Sequence, residues 1–181
     1  MDISDILLRL TNQYKETHGS LPTKTKLLKL AYMVELKYFR RFRTRLTSEK
    51  WVYYLYGPYI RTYDAVLNSN MFDMRKGESG DSNFVLVSPM GDNKDRLEYD
   101  VRQLVVNVVS DYGSMELNDL LDLVYFNTEP MMAAEKRGEL LEFSSANSEE
   151  YYSKKDLKID PKVKKDILSK LRKSAASLHG Q

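Results

Sequence analysis

Lys24 to Leu67 reads KTKLLKLAYMVELKYFRRFRTRLTSEKWVYYLYGPYIRTYDAVL, and this stretch decides the architecture. In its first half apolar residues recur at helical spacing on two sides: Leu27, Leu30, Ala31, Val34 and Tyr38 form one stripe, Leu28, Tyr32 and Phe39 another. A helix apolar on two sides belongs in the middle of a fold, with Lys26, Lys29, Lys37 and Arg40 or Arg41 left on a narrow wet edge. The second half changes period. Trp51-Val-Tyr-Tyr-Leu-Tyr56 has the aromatic and β-branched content of a strand covered on both faces. Gly57 is expected to end that strand and Pro58 to open a helix, with Ile60, Tyr63 and Leu67 on one side before Asn68-Ser69-Asn70 stops it. Side chains are packed densely here, but no nucleophile, metal ligand or phosphate cradle is among them. The stretch points to a binding surface rather than a reaction.

On the N-terminal side, Ile3, Ile6, Leu7, Leu10 and Tyr14 predict an amphipathic helix that breaks at His18-Gly19-Ser20, and Pro22 suits a first helical turn. On the C-terminal side, residues 71–100 turn to Gly, Ser and Asp with short β-rich pieces. Phe84 to Ser88 and Leu97 to Tyr99, separated by Pro89-Met90-Gly91-Asp92-Asn93, are expected to pair as a hairpin. Helical periodicity returns in Val101, Leu104, Val105, Val108 and Val109, and breaks at Tyr112-Gly113. It resumes after an expected Ser114 N-cap with Leu117, Leu120, Leu121 and Val124. Thr128-Glu129-Pro130 starts a short helix through Ala133 and Ala134 that Gly138 closes. The sum is a mainly helical α+β chain: one compact domain over residues 1–143, of about six helices with a small antiparallel β element. Residues 144–181 read as a polar linker and a basic tail with room for one helix around Val163 to Leu171.

Composition narrows the chemistry. A chain of 181 residues buries a real core without staples. With no Cys there is no disulfide and no thiolate metal site, and the cytoplasm is the default compartment. Asp2, Asp5 and Arg9 interrupt the first apolar run, so neither a signal peptide nor a membrane span is expected. The net charge of +2 is unevenly spread. Residues 23–50 hold 9 Lys/Arg against 2 Glu and residues 151–181 hold 9 against 3 Asp, whereas residues 51–150 hold 8 basic against 18 acidic residues. Two basic flanks enclosing an acidic middle can meet partners of either sign.

Catalytic readings are thin. The two histidines, His18 in a Gly-Ser break and His179 beside the C-terminus, are poorly placed for a triad or a metal site. Glu116, Asp119 and Asp122 recur every three residues and could act as acid and base or hold Mg²⁺, or simply form a solvated face near a helix N-terminus. There is no Gly-x-Gly-x-x-Gly or Walker loop, and no cofactor is implied. Arg40, Arg41, Arg43 and Arg45, with Lys50 and the nearby Tyr38 and Phe39, offer phosphate contacts and a stacking ring to a nucleic acid, or else complement a helix C-terminus. A helix-turn-helix over residues 101–126 would carry an acidic second helix, which argues against its entering a groove. Tyr56-Gly57-Pro58-Tyr59 reads as a backbone corner that also presents two tyrosine rings to a partner.

Lys26-Leu27-Leu28-Lys29-Leu30 followed by Tyr32, the Trp51 to Tyr56 strand running into Gly57-Pro58, and Tyr63 in the next helix together resemble the Panacea domain, or SocA-like antitoxin, family of bacteria, archaea and their phages. Tyr112-Gly113 ahead of Leu117 and Leu120, then Thr128-Glu129-Pro130 and an alanine pair, extend the resemblance over roughly residues 20–143. Many members carry a His after that Thr and a Trp after that Pro; here the positions read Glu129 and Met131. The resemblance implies a small, non-enzymatic α+β antitoxin that neutralises a cognate toxin by direct binding. For the SocA-type branch it also implies an adaptor that delivers the toxin to an ATP-dependent protease. On this reading Lys26, Lys29, Tyr56, Gly57, Pro58, Tyr59 and Tyr63 are the expected partner-facing residues, and the basic tail adds electrostatic reach. A nucleic-acid-binding regulator built on Arg40, Arg41, Arg43, Arg45 and the tail is the alternative.

Overall fold

Asp2 opens the first helix by accepting a hydrogen bond from the Ser4 amide, and α1 runs Ile3–His18 with Ile3, Ile6, Leu7, Leu10 and Tyr14 buried as its periodicity predicts. The computed structural model describes residues 1–79, 82–91 and 96–146. The tail from residue 147 onward, including the helix expected near residues 163–171, lies outside the described residues. So do His179 and, in the expected turn, Asp92 and Asn93.

The central helix α2 spans Lys24–Phe42. Thr23 is its N-cap, its hydroxyl accepting from the Lys26 amide, so Pro22 stands outside the helix and its carbonyl accepts from Val87 instead. Burial on both expected stripes is nearly complete, and α2 packs against α1, α4 (Tyr99–Tyr112) and α5 (Leu117–Phe126). The expected wet edge is narrower still: Lys29 and Arg40 are buried. Each reaches a polar partner from inside the core, a role periodicity cannot distinguish from exposure.

The Trp51 segment departs from expectation. It forms β1, Trp51–Tyr54, and then a hairpin turn, and Gly57-Pro58 begins β2, Gly57–Ile60, instead of a helix; α3 starts only at Tyr63 and ends at Leu67. The strands pair antiparallel with Tyr53 opposite Pro58 and Tyr54 opposite Gly57. Pro58 is tolerated because the main-chain groups of Tyr53 face the other way, where its N–H donates to Glu139 and its carbonyl accepts from Gly138. Those bonds, with Leu141 donating to Trp51, lay residues 138–141 along the outer edge of β1. Neither Leu55 nor Tyr56 takes a positive φ, and the left-handed residue is Gly57, at φ 86°. That requirement accounts for glycine at this position.

The second hairpin is β3, Phe72–Ser79, paired with β4, Ser82–Pro89. The expected pairing of Phe84–Ser88 with Leu97–Tyr99 is therefore wrong in its second strand. Asp73, Arg75, Lys76 and Glu78 disguise β3 as a loop because only its near end, Phe72 and Met74, packs on the core. Leu97 is buried ahead of α4, and Tyr99 begins that helix. Glu116, not Ser114, occupies the N-cap position of α5. Gly113 is required by space: a Cβ there would stand 2.4 Å from His18 Nε2 and 2.5 Å from the Val109 carbonyl. A short α6, Glu129–Ala133, and a single 3-10 turn, Phe143–Ser145, close the described chain, with Phe143 and Ala146 buried. Among the described residues no helix is long and apolar enough to cross a membrane.

Candidate functional site

Five of the seven sequence-selected residues converge. Lys29 of α2, Tyr56 of the first hairpin turn, Gly57 and Tyr59 of β2, and Tyr63 of α3 line one cavity of about 170 Å³, which Lys24, Thr25, Leu28, Tyr54 and Asp64 complete. Pro58 joins through its backbone: its carbonyl points away from β1 and accepts a 2.9 Å hydrogen bond from the Lys29 ammonium. Lys26 lies elsewhere, donating to the carbonyls of Gly113 and Met115 at 3.1 and 2.7 Å, where it fastens the α4–α5 turn.

The hairpin turn is hydrogen-bonded from below. Tyr125, a residue of α5 that sequence reasoning did not select, inserts its hydroxyl between the strands' last pair, accepting from the Gly57 amide at 2.5 Å and donating to the Tyr54 carbonyl at 2.6 Å. One hydroxyl thus satisfies a buried donor and acceptor that the turn leaves unpaired. The aromatic content of α5, Tyr125-Phe126, was the available signal, but nothing in its spacing ties it to a glycine 68 positions earlier.

Above this clamp the rings are layered. Tyr54 and Tyr59 stack with centroids 5.2 Å apart, and the Arg137 guanidinium lies 4.3 Å over the Tyr54 ring. Tyr56 is 67% exposed and Tyr54 38%, both large apolar surfaces in solvent. Tyr63 is buried, its hydroxyl donating to the Lys24 carbonyl at 2.7 Å, so it shapes the cavity floor rather than offering a free ring. Tyr59 donates to Asp64 at 2.9 Å, and Lys24 bonds the other Asp64 oxygen.

Charge is unevenly satisfied at the site. Lys24, with help from the Tyr59 hydroxyl, holds the Asp64 carboxyl below its usual range. Burial, reinforced by the hydrogen bond to Asp64, pushes Tyr59 up to about 12. Lys29 is 2% exposed. Desolvation pushes its ammonium down to about 7 from an ordinary 10.5. With Lys29 protonated, two lysines and one aspartate give the cavity lining a net charge of +1, and Asp64 is already engaged by Lys24.

The arginine cluster of the alternative reading is divided among internal tasks. Arg40 is buried and pairs with Glu129 at 2.5 Å. Arg43 donates to the Ala146 carbonyl at 2.7 Å, and its guanidinium lies over Phe39. Arg45 donates to the buried Glu35 carboxylate at 2.6 Å and lies 4.1 Å over Phe143. Arg41 makes an exposed 3.7 Å contact with Asp100. Glu129, which stands where many family members are expected to carry His, is thus the counter-charge of a buried arginine, and Met131 is core.

Of the acidic triplet, Glu116 and Asp119 are exposed and Asp122 is half-buried on α5. Among the described residues no group of three or more His, Asp or Glu side chains is placed to hold a metal ion.

A family model described as antitoxin SocA-like, Panacea domain, matches residues 27–129, more than half of the chain. The matched span runs from the second residue of the Lys-Leu-Leu-Lys-Leu run to Glu129 and contains the cavity lining apart from Lys24 and Thr25. No curated protein and no solved structure matches the chain.

Proposed function

We propose, because the chain belongs to the SocA-like Panacea domain family of antitoxins, that it neutralises a cognate toxin by binding it directly through the first hairpin and the cavity behind it. The observation that carries this reading is the pair of exposed rings, Tyr54 and Tyr56, on a hairpin pinned by Tyr125 and Lys29. Exposed aromatic surface on a preorganised element is what an interface anchor requires: little is lost on ordering, and the rings bury apolar area while a hydroxyl still finds a partner. The full interface should bury about 1,600 Å², of which the hairpin supplies the centre.

Tyr56→Ala tests the reading. Tyr56 is largely exposed, so the variant should melt like the wild type while toxin affinity falls by about 2 kcal/mol, roughly thirtyfold. Unchanged affinity would remove the turn from the interface. Family membership supports a second step, delivery of the captured toxin to an ATP-dependent protease. Its signature is a toxin half-life that shortens when this chain is present and recovers when the protease is deleted.

A further inference from the structure

Lys29 carries its charge into the core and finds only one acceptor there. Its ammonium has three hydrogens; one goes to the Pro58 carbonyl, and among the described residues it forms no salt bridge and no second hydrogen bond. Buried cations are ordinarily paired, as Arg40 of this same helix is with Glu129. Lys29 has no such partner among the described residues, and it lines an open cavity. The other charges around it are already occupied: Asp64 is held by Lys24 and Tyr59, and Tyr125 spends its hydroxyl on the hairpin backbone. Tyr54, Tyr56, Tyr59 and Tyr63 supply an aromatic wall, and the volume suits a single side chain.

From this geometry we infer that the cavity receives one acidic side chain of the bound partner, whose carboxylate pairs with the Lys29 ammonium while its methylenes lie against the tyrosine rings. The missing counter-ion of the free protein is thus supplied by the complex. A carboxylate is the group that matches a desolvated cation with spare hydrogens, and it makes the site selective: an uncharged residue inserted here would leave the ammonium unpaired. Pairing also favours the protonated lysine, so occupancy raises the titration midpoint of Lys29 and binding takes up a proton near neutral pH.

The inference rests on the toxin-binding reading, and its test separates the two. The full chain, labelled with ¹³C at lysine Cε, is titrated by NMR in propionate and in propionamide, a neutral isostere, at equal ionic strength. Propionate alone should move the Lys29 midpoint upward; identical midpoints would overturn the carboxylate site without touching the binding reading. In a second arm the Asp and Glu residues of the toxin encoded beside this chain are changed singly to Asn and Gln and tested against wild type and Lys29→Met. One of them should lose about thirtyfold in affinity against wild type and almost nothing against Lys29→Met. A complex in which no acidic residue couples to Lys29 would overturn the inference, whereas absence of any complex would overturn the binding reading on which it stands.

Discussion

Replacing Lys29 by Met should change how stability depends on pH, by an amount the structure sets. In the folded protein burial holds the Lys29 midpoint near 7, and in the unfolded chain it returns to about 10.5. Between those values the unfolded state binds a proton that the folded state does not, so stability rises with pH, by at most about 1.4 kcal/mol per pH unit. Below about pH 6 both states are protonated, the full cost of burying the cation is present, and the contribution is flat. The tyrosines act in the opposite direction, since their raised folded values lower stability only above about pH 10 and do so equally in both proteins. Met fills the same volume but leaves the Pro58 carbonyl without its donor, a pH-independent offset of about 1–3 kcal/mol. Urea unfolding of both proteins at pH 6, 7, 8 and 9 isolates the slope. Wild type should gain on Lys29→Met by roughly 1 kcal/mol per pH unit above pH 7.5. Parallel stabilities across that range would show that Lys29 is not desolvated as the structure has it, and would remove the physical basis for its need of a counter-ion.

Other substitutions probe the supports of the site. Glu35→Ala removes a buried carboxylate that accepts from Arg45, the Leu46 amide and the Thr47 hydroxyl, and should cost about 3 kcal/mol, or some 6–12 °C of melting temperature. Tyr125→Phe leaves the Gly57 amide and the Tyr54 carbonyl unpaired and should cost about 2 kcal/mol by urea unfolding, with toxin binding weakened because the hairpin is no longer pinned. In a gel shift with duplex and single-stranded nucleic acid at low salt, Arg43→Ala should behave as the wild type does, since Arg40, Arg43 and Arg45 have internal partners; a salt-sensitive band lost in Arg43→Ala would revive the nucleic-acid reading of this cluster.

The helices were legible because burial imposes a period on the sequence. α1, α2 and α4 end within a few residues of where their apolar stripes stop, and the match of the family to residues 27–129 confirms the resemblance carried by the Lys-Leu-Leu-Lys-Leu and Tyr-Gly-Pro motifs. The strands were less legible. Gly57-Pro58 resembles a helix start because Pro is tolerated there, and only the orientation of the Tyr53 main chain, fixed by residues 138–141, makes a strand equally acceptable. In β3 the polar residues beyond Met74 project past the core, so the alternation that signals a half-buried strand is missing. Five of the selected residues line one cavity, but their structural roles could not be told apart in the sequence. Lys26 and Lys29, three apart on one helix, looked alike in sequence, yet one fastens a turn on the surface and the other enters the core, because the carbonyl that each meets belongs to a distant segment.

The most direct test of toxin neutralisation by binding is co-expression with the protein encoded beside this chain, following growth and then co-purification. Neutralisation through the hairpin predicts that the neighbour alone arrests growth, that this chain restores it and retains the toxin as a complex on purification, and that Tyr56→Ala weakens both effects. A neighbour that is harmless, or a toxin neutralised equally well by Tyr56→Ala with no complex recovered, would contradict it.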